Sequence, residues 1–230
     1  DGMVSSQNAV STRVGVEILE RGGNAIDAAV GVGLALAVTL PRAGNLGGGG
    51  FMVVHLADKD RTVAIDFREV APALAHSNMY FSEDGEVDNA EYRFTHKSSG
   101  VPGTIAGFDH ILREYGTMTW AEVIEPALRL ARDGIEVTDD LAMNLSQSKA
   151  RLTNNPATAA AFYKPDGSDY RSGETLRQPD LAWTFEQLQA GGADAFYRGS
   201  IAERIVADME EHNGIITAKD LADYRVVERE

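Results

Sequence analysis

The residues best suited to chemistry lie between Ala43 and Glu69. Four successive glycines, Gly47 to Gly50, strip every Cβ from a stretch where a long apolar helix must turn into a strand. Downstream, an apolar strand, Thr62 to Phe67, ends on Arg68. An arginine there presents a planar, permanently charged fork that fits a carboxylate or a phosphate. Close backbone approach beside a strand-end arginine reads as a pocket for a small acidic ligand. Each piece also has a plainer reading. The glycines allow tight helix–strand packing, and Arg68 pairs with Glu69 or another surface carboxylate.

Other chemical motifs are incomplete. His55, His76, His96, His110 and His212 are scattered, with no two at metal-ligand spacing, and read as surface or interface residues. The glycine run lacks the lysine and hydroxyl residue of a phosphate-binding loop, and no G-x-S-x-G elbow occurs. The absence of cysteine removes thiol nucleophiles, disulfides and thiolate metal sites, and suits any redox compartment. Asp133 and Asp139-Asp140 flank helix ends, where they cap and balance the dipole. No catalytic set is complete in this chain, and no metal or cofactor is implied.

Charge and hydropathy set further bounds. A net charge of −14 without a basic cluster argues against a nucleic-acid partner. The longest apolar stretch, Ala25 to Leu40, is broken by Asp27 and glycines, so it reads as a packed helix rather than a membrane span. Asp1-Gly2-Met3-Val4 has neither the basic nor the apolar part of an export signal. The chain opens on what reads as a strand and is expected to lack its natural start.

Around these residues the pattern predicts a helix-rich α+β chain. Val10, Val14 and Ile18 recur at helical spacing over Asn8–Arg21, and Gly22-Gly23 stops that helix. Asn24 caps the next, with Asp27 at its third position; this helix is apolar on all sides and should be sandwiched. Phe51–Leu56 and Thr62–Phe67 form a hairpin across Ala57–Arg61. Beyond Ala75 strand signals nearly vanish, and Ser82–Arg93 reads as a polar surface excursion. Gly100–Thr104 opens a helix to Tyr115, with Pro102 in its first turn. Thr119 and Glu122 form a capping box for a helix to about Arg132 that Gly134 ends. Further helices are predicted over Val137–Leu152, Ala157–Tyr163, Pro179–Ala190 and Ile201–His212, with a turn at Lys164–Ser168. Residues 1–230 read as a single, incomplete domain, its helical second half covering the first.

Seven ordered motifs resemble the γ-glutamyltranspeptidase family. They are E-R-G-G-N-A-I-D-A-A-V at 20–30, A-G-N-L-G-G-G-G-F-M at 43–52, A-I-D-F-R-E-V-A-P at 64–72 and S-G-V-P-G-T-I-A-G-F at 99–108. P-A-L-R-L-A-R-D-G at 126–134, F-Y-R-G-S-I-A at 196–202 and I-T-A-K-D-L-A-D-Y at 216–224 complete the series. The resemblance covers nearly the whole chain and is to the family's large subunit. It implies an N-terminal-nucleophile hydrolase with an αββα sandwich, whose precursor cuts itself into two subunits. The small subunit's new N-terminal threonine attacks, with its own α-amino group as general base. The implied reaction removes the γ-glutamyl group from glutathione or a related amide and passes it to water or an amino acid. The resemblance also implies that Arg68 binds the substrate's α-carboxylate, that Glu69 orients Arg68, and that the location is periplasmic or extracellular.

Thr95-His96 echoes the family's processed threonine, yet Lys97 follows where a second threonine is absent, so it reads as a loop. The nucleophile is expected on another chain, and this one is expected to stop before the large subunit ends. A glutaryl or cephalosporin-type acylase of the same fold, or a non-catalytic homologue, are the alternative readings.

Overall fold

The computed structural model describes residues 2–229. In chain order its elements begin with α1 (Ala9–Glu20), α2 (Ala25–Thr39), β1 (Phe51–Leu56), β2 (Arg61–Asp66), α3 (Asn89–Phe94) and α4 (Thr104–Tyr115). There follow α5 (Trp120–Asp133), β3 (Ile135–Glu136), α6 (Asp139–Leu152), α7 (Pro156–Phe162) and β4 (Thr175–Leu176). The last are α8 (Pro179–Tyr197), α9 (Ser200–Glu211), α10 (Ala218–Asp223) and β5 (Val227–Arg229). A short 3-10 turn, His96–Ser98, follows α3.

Side-chain caps set many of the helix starts. Asn8 accepts from Val10 N and Ser11 N ahead of α1. Reciprocal capping boxes open α2 (Asn24 with Asp27), α5 (Thr119 with Glu122) and α10 (Thr217 with Asp220). Gly134 ends α5 at a φ of 101°, a conformation that strains any side chain with a Cβ.

The chain divides into two compact units. The first runs up to Asn45 and resumes over Thr117–Glu186. Here α2 is packed by α1 and α5, and Val30, Leu34, Ala35 and Val38 are fully buried. Each large side chain so buried contributes about 1.5–3 kcal/mol. Asp27 is also fully buried. It accepts hydrogen bonds from Asn24 N (2.8 Å), Thr117 Oγ1 (2.6 Å), Thr117 N (3.0 Å) and Met118 N (3.1 Å). One carboxylate thus ties the start of α2 to the segment leading into α5. Strands β3 and β4 pair antiparallel, Ile135 opposite Leu176.

The second unit comprises Leu46–Gly116 and the chain from Gln187 onward. Its sheet has the order β1-β2-β5, both pairs antiparallel, with Phe51 opposite Asp66 and Ala64 opposite Arg229. Alternation sends Val63 and Ile65 into the core, where Phe67 meets Phe108 of α4 edge to face at 6.0 Å. Phe51 and Val53 are left 68% and 72% exposed.

The hairpin, the Asn24 and Thr119 caps and the Lys164–Ser168 turn follow the sequence pattern; the last is closed by Gly167 N donating to Lys164 O at 2.8 Å. Elsewhere the structure corrects it. Residues 2–6 form no strand, since nothing pairs with them and Ser6 and Asn8 already organise the entry to α1. Pro102 precedes the N-cap Gly103 instead of lying in α4, and its carbonyl accepts from Tyr197 Oη at 2.8 Å. Val137 stays outside α6 because its N–H donates to Glu174 O and Thr138 takes the cap. α8 continues past Ala190, broken at Gly192, whose φ of 59° and ψ of −153° are non-helical. The surface excursion contains the short α3, and β3, β4, β5 and α10 carry no signal read in advance.

Candidate functional site

Arg68 stands just past the end of β2, and its backbone is held from several sides. Phe67 N donates to Gly50 O at 3.0 Å, which extends the β1–β2 pairing to the residue before the arginine. Arg68 N donates to Asp66 Oδ1 at 3.1 Å, and Arg68 O accepts from Tyr224 Oη at 2.8 Å. Gly49 closes the remaining approach. A Cβ built there would lie 2.5 Å from Phe67 O, 2.7 Å from Glu69 N and 2.8 Å from Arg68 Cα. Only glycine fits without moving backbone. The glycine run also serves α4: Gly48 O accepts from Gly103 N at 2.7 Å and Thr104 N at 3.0 Å. Gly47 by contrast has open space around its Cα.

The side chain of Arg68 is 58% exposed. Its Nη1 lies 3.4 Å from Glu69 Oε2. That oxygen is buried and has no aligned hydrogen-bond donor, so the pair is held by charge rather than by direction. A fixed backbone with a solvent-exposed side chain, held by Glu69 only through charge, can offer the arginine's fork to an anionic group.

Electrostatics extend outward from this point. Asp66 Oδ2 accepts from Arg229 Nη2 at 2.7 Å, and Arg229 together with the Arg68 N–H holds the Asp66 carboxyl below its usual range. Burial pushes the Tyr224 phenol up to about 12, with the nearby Asp66 and Glu69 charges adding to it, so it remains a donor. Asp220 Oδ1 accepts from Ala73 N at 2.8 Å and anchors the chain beyond the arginine.

Of the residues the sequence singles out, Arg68, Glu69 and Gly48–Gly50 come together, and Tyr224, Asp66 and Arg229 join them unannounced. Thr95 lies apart from this group as a chain-internal residue whose hydroxyl donates to Glu91 O at 2.8 Å. Its neighbour His96 is brought against His212 and Asp208, a grouping that linear spacing could not show. A cavity of about 660 Å³ belongs to the first unit, and Arg68 is not among its lining residues.

The sequence model of the γ-glutamyltranspeptidase family matches residues 11–230. The chain belongs to the γ-glutamyltranspeptidase family. A glutathione hydrolase proenzyme of Escherichia coli K12 is 47% identical over 228 residues, 99% of this chain and 39% of that protein. Among solved structures, Helicobacter pylori γ-glutamyltranspeptidase superposes with a TM-score of 0.97 at 42% identity, covering 100% of this chain and 65% of that one. Pseudomonas nitroreducens γ-glutamyltranspeptidase complexed with L-DON gives a TM-score of 0.91 at 37% identity, covering 100% of this chain and 66% of that one. The fold is therefore the N-terminal-nucleophile hydrolase fold of these γ-glutamyltranspeptidases, an α+β architecture rich in helices. The chain spans about two fifths of the curated proenzyme. No helix among the described residues is long and apolar enough to cross a membrane.

Proposed function

We propose that this chain is part of the large subunit of a γ-glutamyltranspeptidase, and that residues 1–230 belong to one incomplete domain of it. The complete enzyme cleaves the γ-glutamyl amide of glutathione and related compounds and transfers the group to water or an amino acid. A threonine at the N-terminus of the small subunit of the same precursor attacks the γ-carbonyl. Its α-amino group takes the hydroxyl proton and later returns it to the leaving amine. Arg68 binds the substrate: its fork holds the α-carboxylate and sets how far the γ-carbonyl reaches toward the threonine.

The observation that carries this reading is the contrast within Arg68 itself. Its N–H, its carbonyl and the space at its Cα are all taken up by protein, while its side chain is 58% exposed. A surface arginine serving only solubility has no need of such backbone fixation. The exposed apolar pair Phe51 and Val53 supports a partner subunit over β1, since apolar area of that kind favours being covered. The location in this reading is periplasmic or extracellular, which fractionation of the producing cells tests.

The experiment is to express the full-length gene product and follow two events. Self-cleavage should yield a new chain that begins with threonine, seen by N-terminal sequencing. The matured protein should then release the amine from a γ-glutamyl anilide. A product that never cleaves, or a matured one without γ-glutamyl activity, defeats the reading.

A further inference from the structure

A second cluster of titratable side chains gathers at the C-terminal end of α9. His212 caps the C-terminal end of α9, and Asp208 lies one turn before it on the same face. The 3-10 turn brings His96 to them across 112 residues of sequence. His96 Nε2 lies 2.9 Å from Asp208 Oδ2, and His212 Nδ1 lies 3.3 Å from Asp208 Oδ1. The two imidazoles stack with centroids 4.5 Å apart and an interplanar angle of 10°. One ligand atom from each of the three residues falls within 4.8 Å of the others.

We propose that His96, Asp208 and His212 form a binding site for a divalent transition ion of the zinc class, which staples the 3-10 turn to the end of α9. Bonds of about 2.0–2.2 Å to imidazole nitrogen and carboxylate oxygen put tetrahedral ligand atoms about 3.4 Å apart. To reach that geometry from ligand atoms within 4.8 Å of one another, the side chains draw together and the stacked imidazoles turn out of parallel so that both nitrogens face the ion. The donor set decides the class of ion. Two imidazoles with one carboxylate suit zinc, cobalt, nickel or copper, whereas calcium and magnesium require oxygen ligands. Three protein ligands leave a fourth position for water.

The surroundings hold the ligands in place. Thr95 Oγ1 donates to Glu91 O at 2.8 Å and Ser98 N donates to Thr95 O at 3.1 Å, which fixes the turn that carries His96. Beyond His212 the chain turns back, with Gly214 N donating to Met209 O at 2.7 Å. A Cβ on Gly214 would sit 3.0 Å from His96 Cβ, so the bare glycine gives the imidazole its room. His212 Nδ1–H donates to the Asp208 carbonyl at 2.9 Å and orients the ring, and coordination through Nδ1 exchanges that hydrogen bond for the ion and releases the proton. The benefit falls on the excursion before His96, where α3 buries none of its residues. An ion that binds only the folded arrangement stabilises it in proportion to its affinity, and here it closes a long loop.

The test uses tag-free full-length protein, stripped with a chelator, and titrates zinc by calorimetry and cobalt by absorption. One equivalent should bind, cobalt should show the intense visible bands of a tetrahedral site, and the thermal midpoint should rise with added zinc. His96→Ala and His212→Ala should each abolish all three, and Asp208→Asn, an isosteric change, should weaken them. His55→Ala, on the surface hairpin, should leave them unchanged. The proposal is overturned if the wild type binds no more tightly than His96→Ala, if His55→Ala is equally damaging, or if calcium competes with zinc on equal terms. Should an alanine variant misfold, the wild-type cobalt spectrum and Asp208→Asn still decide.

Discussion

The hydroxyl of Tyr224 donates a 2.8 Å hydrogen bond to the carbonyl of Arg68, from 156 residues further along the chain. This bond joins the α10 segment to the strand end that presents the guanidinium. Because burial keeps the phenol protonated, the donor persists throughout the working pH range. Tyr224→Phe keeps the ring, which stacks on Tyr197 with centroids 5.9 Å apart, and removes only the donor. The expected loss is about 1 kcal/mol of stability and about tenfold in kcat/KM toward a γ-glutamyl anilide. Denaturant melts and steady-state kinetics check it. An unchanged kcat/KM with lowered stability would make Tyr224 purely structural.

Asp66 ties the same site to pH. Its hydrogen bonds to Arg229 and to the Arg68 N–H lower its pKa in the folded state. A depressed folded pKa gives stability that is present above the unfolded pKa and lost as pH falls through the folded value. That contribution is intact at neutral pH and drains away below about pH 4. Asp66→Asn should therefore melt below the wild type at about pH 7, with the gap narrowing toward about pH 3. A gap that stays constant across this range would show that the charge on Asp66 is irrelevant.

In the first unit, Asp27 is the residue with most to lose. Replacing it by alanine strands the N–H groups of Asn24, Thr117 and Met118 that it now satisfies. These donors are part-buried, and each hydrogen bond to a charged group contributes about 1.5–3 kcal/mol, so Asp27→Ala should destabilise by about 3 kcal/mol or more. Urea unfolding of the matured protein measures this directly. A loss under about 1 kcal/mol would mean that water replaces the carboxylate at the start of α2.

Much of this architecture was legible because it is local. Asn24 with Asp27, and Thr119 with Glu122, sit within one turn of the N–H groups they satisfy, so two helix starts follow from a few adjacent letters, whereas Asn8, expected inside α1, is its cap. α10 carries the same device in Thr217 and Asp220, but its six residues are too few for a periodic pattern to confirm it. β3 and β4 have two residues each and β5 has three, which is below the length at which alternation can be read. At the candidate site Arg68 and the glycines were visible as types in a row. Tyr224 and Arg229 were not, since their partners lie more than 150 residues away and nothing periodic links them. For the same reason the meeting of His96 with Asp208 and His212 belongs to the tertiary structure alone.

The central claim is that Arg68 holds the substrate's α-carboxylate. Its most direct test is steady-state kinetics of matured Arg68→Ala and Arg68→Lys proteins on a γ-glutamyl anilide, set beside the same anilide lacking the α-carboxylate. Removing the charge-assisted fork should cost about 2–5 kcal/mol of transition-state binding, with lysine restoring only part because it keeps the charge and loses the two-pronged geometry. Self-cleavage should continue in both variants, since the precursor's own junction offers no free α-carboxylate, and the truncated anilide should react equally poorly with every form. A kcat/KM near wild type for Arg68→Ala on the complete substrate would contradict the account, and failure of that variant to mature would assign Arg68 to the fold instead.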